Sequence, residues 1–394
     1  MNQVENPIVA MKKGNTIRSI RVFYFLNFFM HGVFMPFFGL YLLSLLRNSV
    51  QVGMILAINP MVKLIFQPVW AMASKKKNLQ RQYLSFSLLL LAIASLGFVI
   101  SRSFAGYAFT MFIFSIFEAP YMPMGTTISI NYLSRINEQS GFGKIRLWGT
   151  VGFIFSSTLI GPLLIGKNNQ LFPVIFAICA LISALASLKL PLYSGLEESE
   201  HKSVNGSLLQ NRQFLFFLTG IVLVGFSAGI IGQYFAIYLS SLHASSLAIG
   251  LSASVAALSE IPLMARSSKL ISKFGLEKLF LFGVGITVLR FFLFIVVKNS
   301  QLLLLVQLLH GFLITSMLVV GPIYITKVLP EPQHTLGQGM YSAAYSGIGT
   351  SIGLVVAGWI YTTSGMSFVW LTSLLVSLIA TALLYRAIRL NPKS

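Results

Sequence analysis

Apolar residues run along this chain in long blocks, each closed by a short polar or basic stretch. The blocks lie at 22–46, 50–73, 83–100, 104–131, 145–166, 170–191, 213–241, 245–264, 279–297, 301–326, 337–363 and 366–387. About 20 apolar residues make a helix long enough to cross the hydrocarbon core of a bilayer, so the pattern predicts twelve transmembrane helices. The only sizeable polar break is Leu192–Arg212, with Glu197, Glu198, Glu200 and His201. It divides the chain into a six-helix block at 1–191, a central loop at 192–212 and a second six-helix block at 213–394. The expected fold is therefore an all-α membrane protein of two pseudo-symmetric six-helix bundles. A weak internal repeat agrees with this. Gly53 opens GMILAINPMVKLIFQP ahead of the basic Lys75–Lys77, and Gly250 opens GLSASVAALSEIP ahead of Arg266 and Lys269. In that register Lys63 falls on Glu260, a cation against an anion at matching depth. Repeats of this kind, with a site near the bilayer midplane, build secondary transporters.

Composition sharpens the class. The 394 residues are 56% hydrophobic and only 9% charged, with a mean hydropathy of +0.81. Soluble domains carry about 25% charged residues, so a water-soluble enzyme is excluded. The net charge of +19 invites a nucleic-acid partner, but its layout argues against one. Most Lys and Arg sit in alternate loops, as the positive-inside rule requires. With the N-terminus placed in the cytoplasm, only Arg47, Arg102, Lys167 and Lys298 fall on the opposite side, and Lys63, Arg146 and Arg290 stay within spans. Both termini are expected on the cytoplasmic face of the cytoplasmic (inner) membrane, and no nucleic-acid partner is expected. The first 21 residues are polar and basic without a small-residue cleavage site, so no signal peptide is expected. One cysteine, Cys179, allows neither a disulfide framework nor a thiolate metal site.

Ionisable groups at mid-membrane are the candidate chemistry, because each costs ~2.5–3.5 kcal/mol on insertion scales. They are His31, Lys63, Glu118, Arg146, Glu260, Arg290 and His310. Several lie on polar stripes at helical spacing: Tyr24, Asn27 and His31; Asn59, Lys63 and Gln67; Arg146, Thr150, Phe153 and Ser157; Gln307 and His310. Such stripes face protein or a wet cavity, since lipid leaves them unsatisfied. Each also has a structural reading. Lys63 and Arg146 are the right partners for ion pairs with Glu118 or Glu260, and a lone histidine serves as a hydrogen-bonded core residue. Glu260 has no partner at i±3 or i±4, and Glu118 stands just before Pro120 and Pro123, at a place where a helix is expected to break. The chain has no P-loop GK[ST], HExxH or paired aspartates, and its two GxSxG matches, Gly225–Gly229 and Gly349–Gly353, lie inside apolar blocks rather than at the strand-to-helix turn a nucleophile elbow needs. No ATP-driven step, enzyme chemistry, cofactor or metal is therefore expected.

The stretch FGKIRLWGTVGFIF (Phe142–Phe155) resembles the fifth-helix motif of the lactose permease branch of the major facilitator superfamily, which includes phenylpropionate and nucleoside proton symporters. PFFGLYLLSL (Pro36–Leu45), GMILAINPMVKLIFQPVWAMAS, LSEIPL, LLHGFL and GQGMYSAAYSGIGTSIG…GWIYTTSG are similar to the family's helices one, two, eight, ten and eleven. The resemblance implies the major facilitator fold and a carrier working by alternating access, with a small-molecule substrate, protons as the driving force, no cofactor, the lipid bilayer as its surroundings, and a monomer sufficing. It implies that Arg146 makes bidentate contact with substrate oxygens and that Phe153 stacks on the substrate. Glu260 and His310 then bind substrate or link it to coupling, Arg290 holds a carboxylate poised, and Asn27 and His31 line the same site. Glu260, Glu118 and Lys63 are the candidates for proton coupling, and Lys75 and Arg81 belong to the cytoplasmic loop gate.

Departures from the family are equally definite. Leu313 replaces the tenth-helix proton-carrying acid, Gln307 the nearby lysine, Thr126 and Thr127 the fourth-helix acid, and Lys75 the loop acid. Lactose specificity and the usual proton site are thus not expected. The resulting expectation is a proton-coupled symporter for a sugar, nucleoside or aromatic acid. A proton-coupled exporter of drugs or metabolites is the first alternative, a non-transporting membrane ligand sensor the second, and a membrane-embedded enzyme the third.

Overall fold

The computed structural model describes residues 7–75, 79–138, 141–160, 163, 171–192 and 212–389, without the side chains of 7–13, 75 and 160. The Lys75 side chain and nearly all of the central loop (193–211) lie outside the described residues. Among those described there is helix and no strand. The helices are α1 (Pro7–Phe34), α2 (Phe38–Leu46), α3 (Ser49–Lys75), α4 (Gln80–Ile100), α5 (Phe104–Glu118), α6 (Tyr121–Arg135), α7 (Phe142–Phe155) and α8 (Leu171–Ser187). They continue with α9 (Arg212–Ser241), α10 (Ser246–Ala265), α11 (Ser267–Phe274), α12 (Leu276–Val296), α13 (Ser300–Val328), α14 (Glu331–Ser364) and α15 (Met366–Arg389).

Polar residues set the helix starts. Asn48 Oδ1 accepts the N–H groups of Val50 and Gln51 at the head of α3. Ser103, Ser245 and Asn299 do the same for α5, α10 and α13. These side chains satisfy amides that have no partner within the helix. Proline marks one interruption: α5 stops at Glu118 and α6 starts after Pro120, in keeping with proline's missing donor. Three stretches adopt the wider π geometry, at Ser156–Ile160 after α7, Ser316–Val320 within α13 and Ala343–Gly349 within α14.

Nine helical stretches among the described residues are long and apolar enough to cross a membrane. Their outer faces carry large exposed apolar side chains, including Ile100, Ile65, Met72 and Trp359, each 60% exposed or more. In water such a surface drives aggregation; in lipid it is the solvated face. The molecule is a multi-pass membrane protein.

Close contacts divide the chain into two units. The first comprises residues 1–34 and 62–197, the second 35–61 and 198–394. By its contacts the segment 35–61 groups with residues 198–394. Its polar contacts give the reason: Gln233 Nε2 donates to Met35 Sδ at 3.3 Å, and Ser351 Oγ donates to the Ala57 carbonyl at 3.1 Å. The first unit centres on packed aromatics, with Phe34 and Phe114 stacked at 4.9 Å and Phe34 and Phe176 tilted at 4.6 Å between ring centroids. The second has an apolar core that includes Phe217, Phe280, Leu313, Met317, Tyr324 and Leu384.

Candidate functional site

In the first unit, α7 presses onto α1. Gly152 makes this possible, since a Cβ there would overlap the Phe25 carbonyl. The approach sets the Arg146 guanidinium over the Phe28 ring, 5.5 Å from its centroid, within cation–π range. Beside it, the Tyr24 and Phe28 rings are stacked at 6.2 Å, and Tyr24 Oη donates to Thr126 Oγ1 at 3.4 Å. Arg146 has no acidic partner among the described residues. Thr126, at the position where the resembled branch carries an acid, offers only a hydroxyl.

The same unit also holds a closed ion pair. Lys63 Nζ lies 2.8 Å from Glu118 Oε1. It is held by the end of α5 and by Trp70, which donates from Nε1 to the Ile116 carbonyl at 2.9 Å and so ties α3 to α5. His31 joins the neighbourhood from α1: its Nδ1 is 3.0 Å from Tyr121 Oη, and its ring is 6.2 Å from that of Phe153. Both Lys63 and Glu118 are within electrostatic reach of His31. Asn27 is buried and donates to Met122 Sδ at 3.8 Å. Arg81 lies apart from this group, donating to the Leu190 carbonyl at 3.1 Å and so joining the start of α4 to the turn that follows α8.

The second unit holds a continuous polar chain instead. Gly311 brings α13 against α10; its N–H donates to Ser259 Oγ at 2.9 Å, and a Cβ there would lie 2.6 Å from the Ser259 carbonyl carbon. This approach puts His310 Nε2 3.4 Å from Glu260 Oε1. From α12, Arg290 donates through Nη1 to His310 Nδ1 at 2.9 Å and through Nη2 to Gln307 Oε1. Arg290 is 1% exposed, whereas the Glu260 side chain is 27% exposed. A guanidinium has donors only, so His310 Nδ1 must accept. That fixes a neutral imidazole with its proton on Nε2, directed at Glu260. The order is Gln307, Arg290, His310, Glu260, with the imidazole standing between the guanidinium and the carboxylate.

Every site residue singled out in the sequence, Lys75 apart, therefore has a defined position. Arg146, Phe153, Asn27, His31, Lys63, Glu118 and Arg81 lie in the first unit, and Glu260, Arg290 and His310 in the second. Two tyrosines were not singled out. Tyr121 bonds His31, and Tyr345 is within electrostatic reach of both Glu260 and Arg290. Their signal was available: Tyr121 sits between the two prolines of EAPYMP, and Tyr345 stands four residues after Tyr341 in a Gly/Ser-rich run.

Comparison with known proteins identifies the family. A model of the MFS_1-like family matches residues 17–372. The maltose permease of Geobacillus stearothermophilus is 25% identical over 86% of this chain and 86% of its own. The probable 3-phenylpropionic acid transporter of Escherichia coli (strain K12) is 23% identical over 89% and 93%. A crystal structure of the nucleoside transporter NupG superposes with a TM-score of 0.85 at 19% identity, covering 95% of this chain and 99% of that one. The chain belongs to the MFS_1-like family of the major facilitator superfamily, and is a membrane solute transporter rather than an enzyme.

Proposed function

We propose that this transporter is a proton-coupled symporter of the cytoplasmic membrane, carrying a small polar solute inward by alternating access. In this reading it has twelve crossings in two six-helix bundles, cytoplasmic termini, no cofactor, and works as a monomer. The observation that carries the coupling is the Glu260–His310–Arg290 chain. A partly exposed carboxylate is joined by a neutral imidazole to a buried arginine, so a proton taken up at Glu260 changes the hydrogen bonding of the whole chain. Protonated Glu260 attracts the Nε2–H less strongly than ionised Glu260 does.

Arg146 is the proposed substrate anchor. It is a mid-span cation with an aromatic face beside it and no acid to neutralise it among the described residues. A carboxylate on an aromatic or sugar-like frame supplies both the bidentate oxygens and the flat apolar surface. Phe153, His31 and Asn27 complete this end of the site, while Lys63 and Glu118 hold each other. Among the substrate classes the resemblance implies, this ranks an aromatic acid first, ahead of a neutral sugar or nucleoside. Lys75 and Arg81 are proposed for the cytoplasmic loop gate, Arg81 through its tie to Leu190.

The test is uptake into inverted and right-side-out vesicles under an imposed pH gradient, with counterflow of aryl acids, nucleosides and maltose. Accumulation driven by an inward proton gradient supports symport. Full accumulation retained by both Glu118→Gln and Glu260→Gln overturns the proton assignment. Export is the second reading, favoured by Leu313: it lies in the apolar core of the second unit, where the resemblance sets the proton-carrying acid. Flux against the gradient in the outward direction alone would select it.

A further inference from the structure

A groove of about 520 Å³ runs between α1 and α8 in the first unit, away from the polar clusters described above. One wall is Asn15, Arg18, Ser19, Val22 and Leu26; the other is Ile182, Leu185, Ala186 and Lys189. The first set recurs at i, i+3, i+4 and i+7 along α1, and Ile182, Leu185 and Ala186 share a face of α8, with Lys189 in the turn just after it. Each stripe is graded along its length. Arg18 and Lys189 stand at one end, with Asn15 and Ser19 beside them, and Val22, Leu26, Ile182 and Leu185 follow toward the middle of the span. At 1.5 Å per residue the apolar part extends roughly 12 Å below Arg18. Val22, Ile182 and Leu185 are between 43% and 58% exposed, and both cations are exposed. Neither Arg18 nor Lys189 has an acidic partner among the described residues.

We infer that this groove is a binding site for one anionic phospholipid of the cytoplasmic leaflet. The occupant follows from charge and polarity together. Two unneutralised cations at the rim fit a phosphodiester, Asn15 and Ser19 supply hydrogen bonds to a polar headgroup, and the apolar floor lies at the depth of an acyl chain. A free phosphate or an acidic peptide would leave that floor uncovered. A zwitterionic lipid would bring a third cation to a rim that already holds two.

Native mass spectrometry of the full-length chain in detergent tests this, with phosphatidylglycerol, phosphatidylcholine and glycerol 3-phosphate offered at equal concentration. Phosphatidylglycerol is expected to be retained selectively. A basic residue near a membrane surface contributes about fivefold in affinity for anionic lipid, so R18A/K189A should retain it roughly 30-fold less well. Ala186→Trp keeps both cations and fills the floor; it should lose retention too, which a diffuse surface charge effect would not produce. Removing two cations elsewhere, in K269A/K273A on α11, should change nothing. Equal retention of phosphatidylcholine, equal binding of glycerol 3-phosphate, or unchanged retention by R18A/K189A would each overturn the site. Both variants can be assayed for transport in the same preparation, so the lipid site and the proposed transport reaction stand or fall separately.

Discussion

The two units have placed their mid-membrane charges in opposite ways. In the first, the only described acid of the interior is locked to the nearest lysine, Glu118 to Lys63, and the remaining cation, Arg146, faces aromatic rings. In the second, one acid and one cation are kept apart by an imidazole, so that Glu260 and Arg290 communicate without touching. A closed pair is inert, because separating it exposes two unpaired charges to a low-dielectric interior. An interrupted pair is responsive, since the group between the charges changes its hydrogen bonds as either end does. This contrast is the basis for the proposal that the first unit anchors substrate and the second handles protons.

The largest expected effect falls on the responsive side. Glu260→Gln should abolish gradient-driven accumulation, leaving solute equal on the two sides of the membrane, while counterflow, which needs no net proton movement, persists. An equal loss in both assays would break the contrast. Next comes the closed pair: Glu118→Ala leaves Lys63 half-buried without its partner and should destabilise the detergent-solubilised protein by about 3 kcal/mol. K63M/E118L should recover most of that loss in a thermal-unfolding measurement. If the double variant is stable but inactive, Glu118 belongs with Glu260. Arg146→Gln is expected to weaken binding of a carboxylate solute about 10–100-fold, the range of a charge-assisted hydrogen-bond pair, with little change in stability; Arg146→Lys should recover only part, because a lysine cannot bind bidentately. Isothermal titration with the acid and its neutral amide separates the two effects. Smallest of all, Lys327→Ala removes an exposed ion pair with Glu277 between α13 and α12 and should change stability by less than about 1 kcal/mol.

Much of this was legible in the residues themselves. The apolar blocks announced the helices, because a lipid-facing surface leaves no room for charge, and the rare interior ions stood out for the same reason. Glu118 was correctly read as standing at a break, since Pro120 dictates one. The partnerships were harder. Lys63–Glu118 was one of several conceivable ion pairs, and only the Trp70–Ile116 tie between α3 and α5 selects it. Glu260 had no partner within its own helix, and His310 reaches it from α13 because Gly311 lets two backbones approach. Spacing along one helix carries no information about such encounters. The grouping of residues 35–61 with the second unit was illegible for a related reason: it rests on contacts of Gln233 and Ser351, some 200 to 300 positions downstream.

The π turn at Ala343–Gly349 bears on how this chain is to be aligned with others. Each residue of an α-helix advances by about 100°, and a π turn accommodates one more residue than the regular winding. A wheel drawn at uniform pitch through Glu331–Ser364 therefore assigns the part after Gly349 to the wrong side by about that angle. Removing one residue from Ala343–Gly349 would let the helix wind regularly and rotate Ser351 away from the Ala57 carbonyl. An indel at this point between relatives is thus a change of facing, not of length.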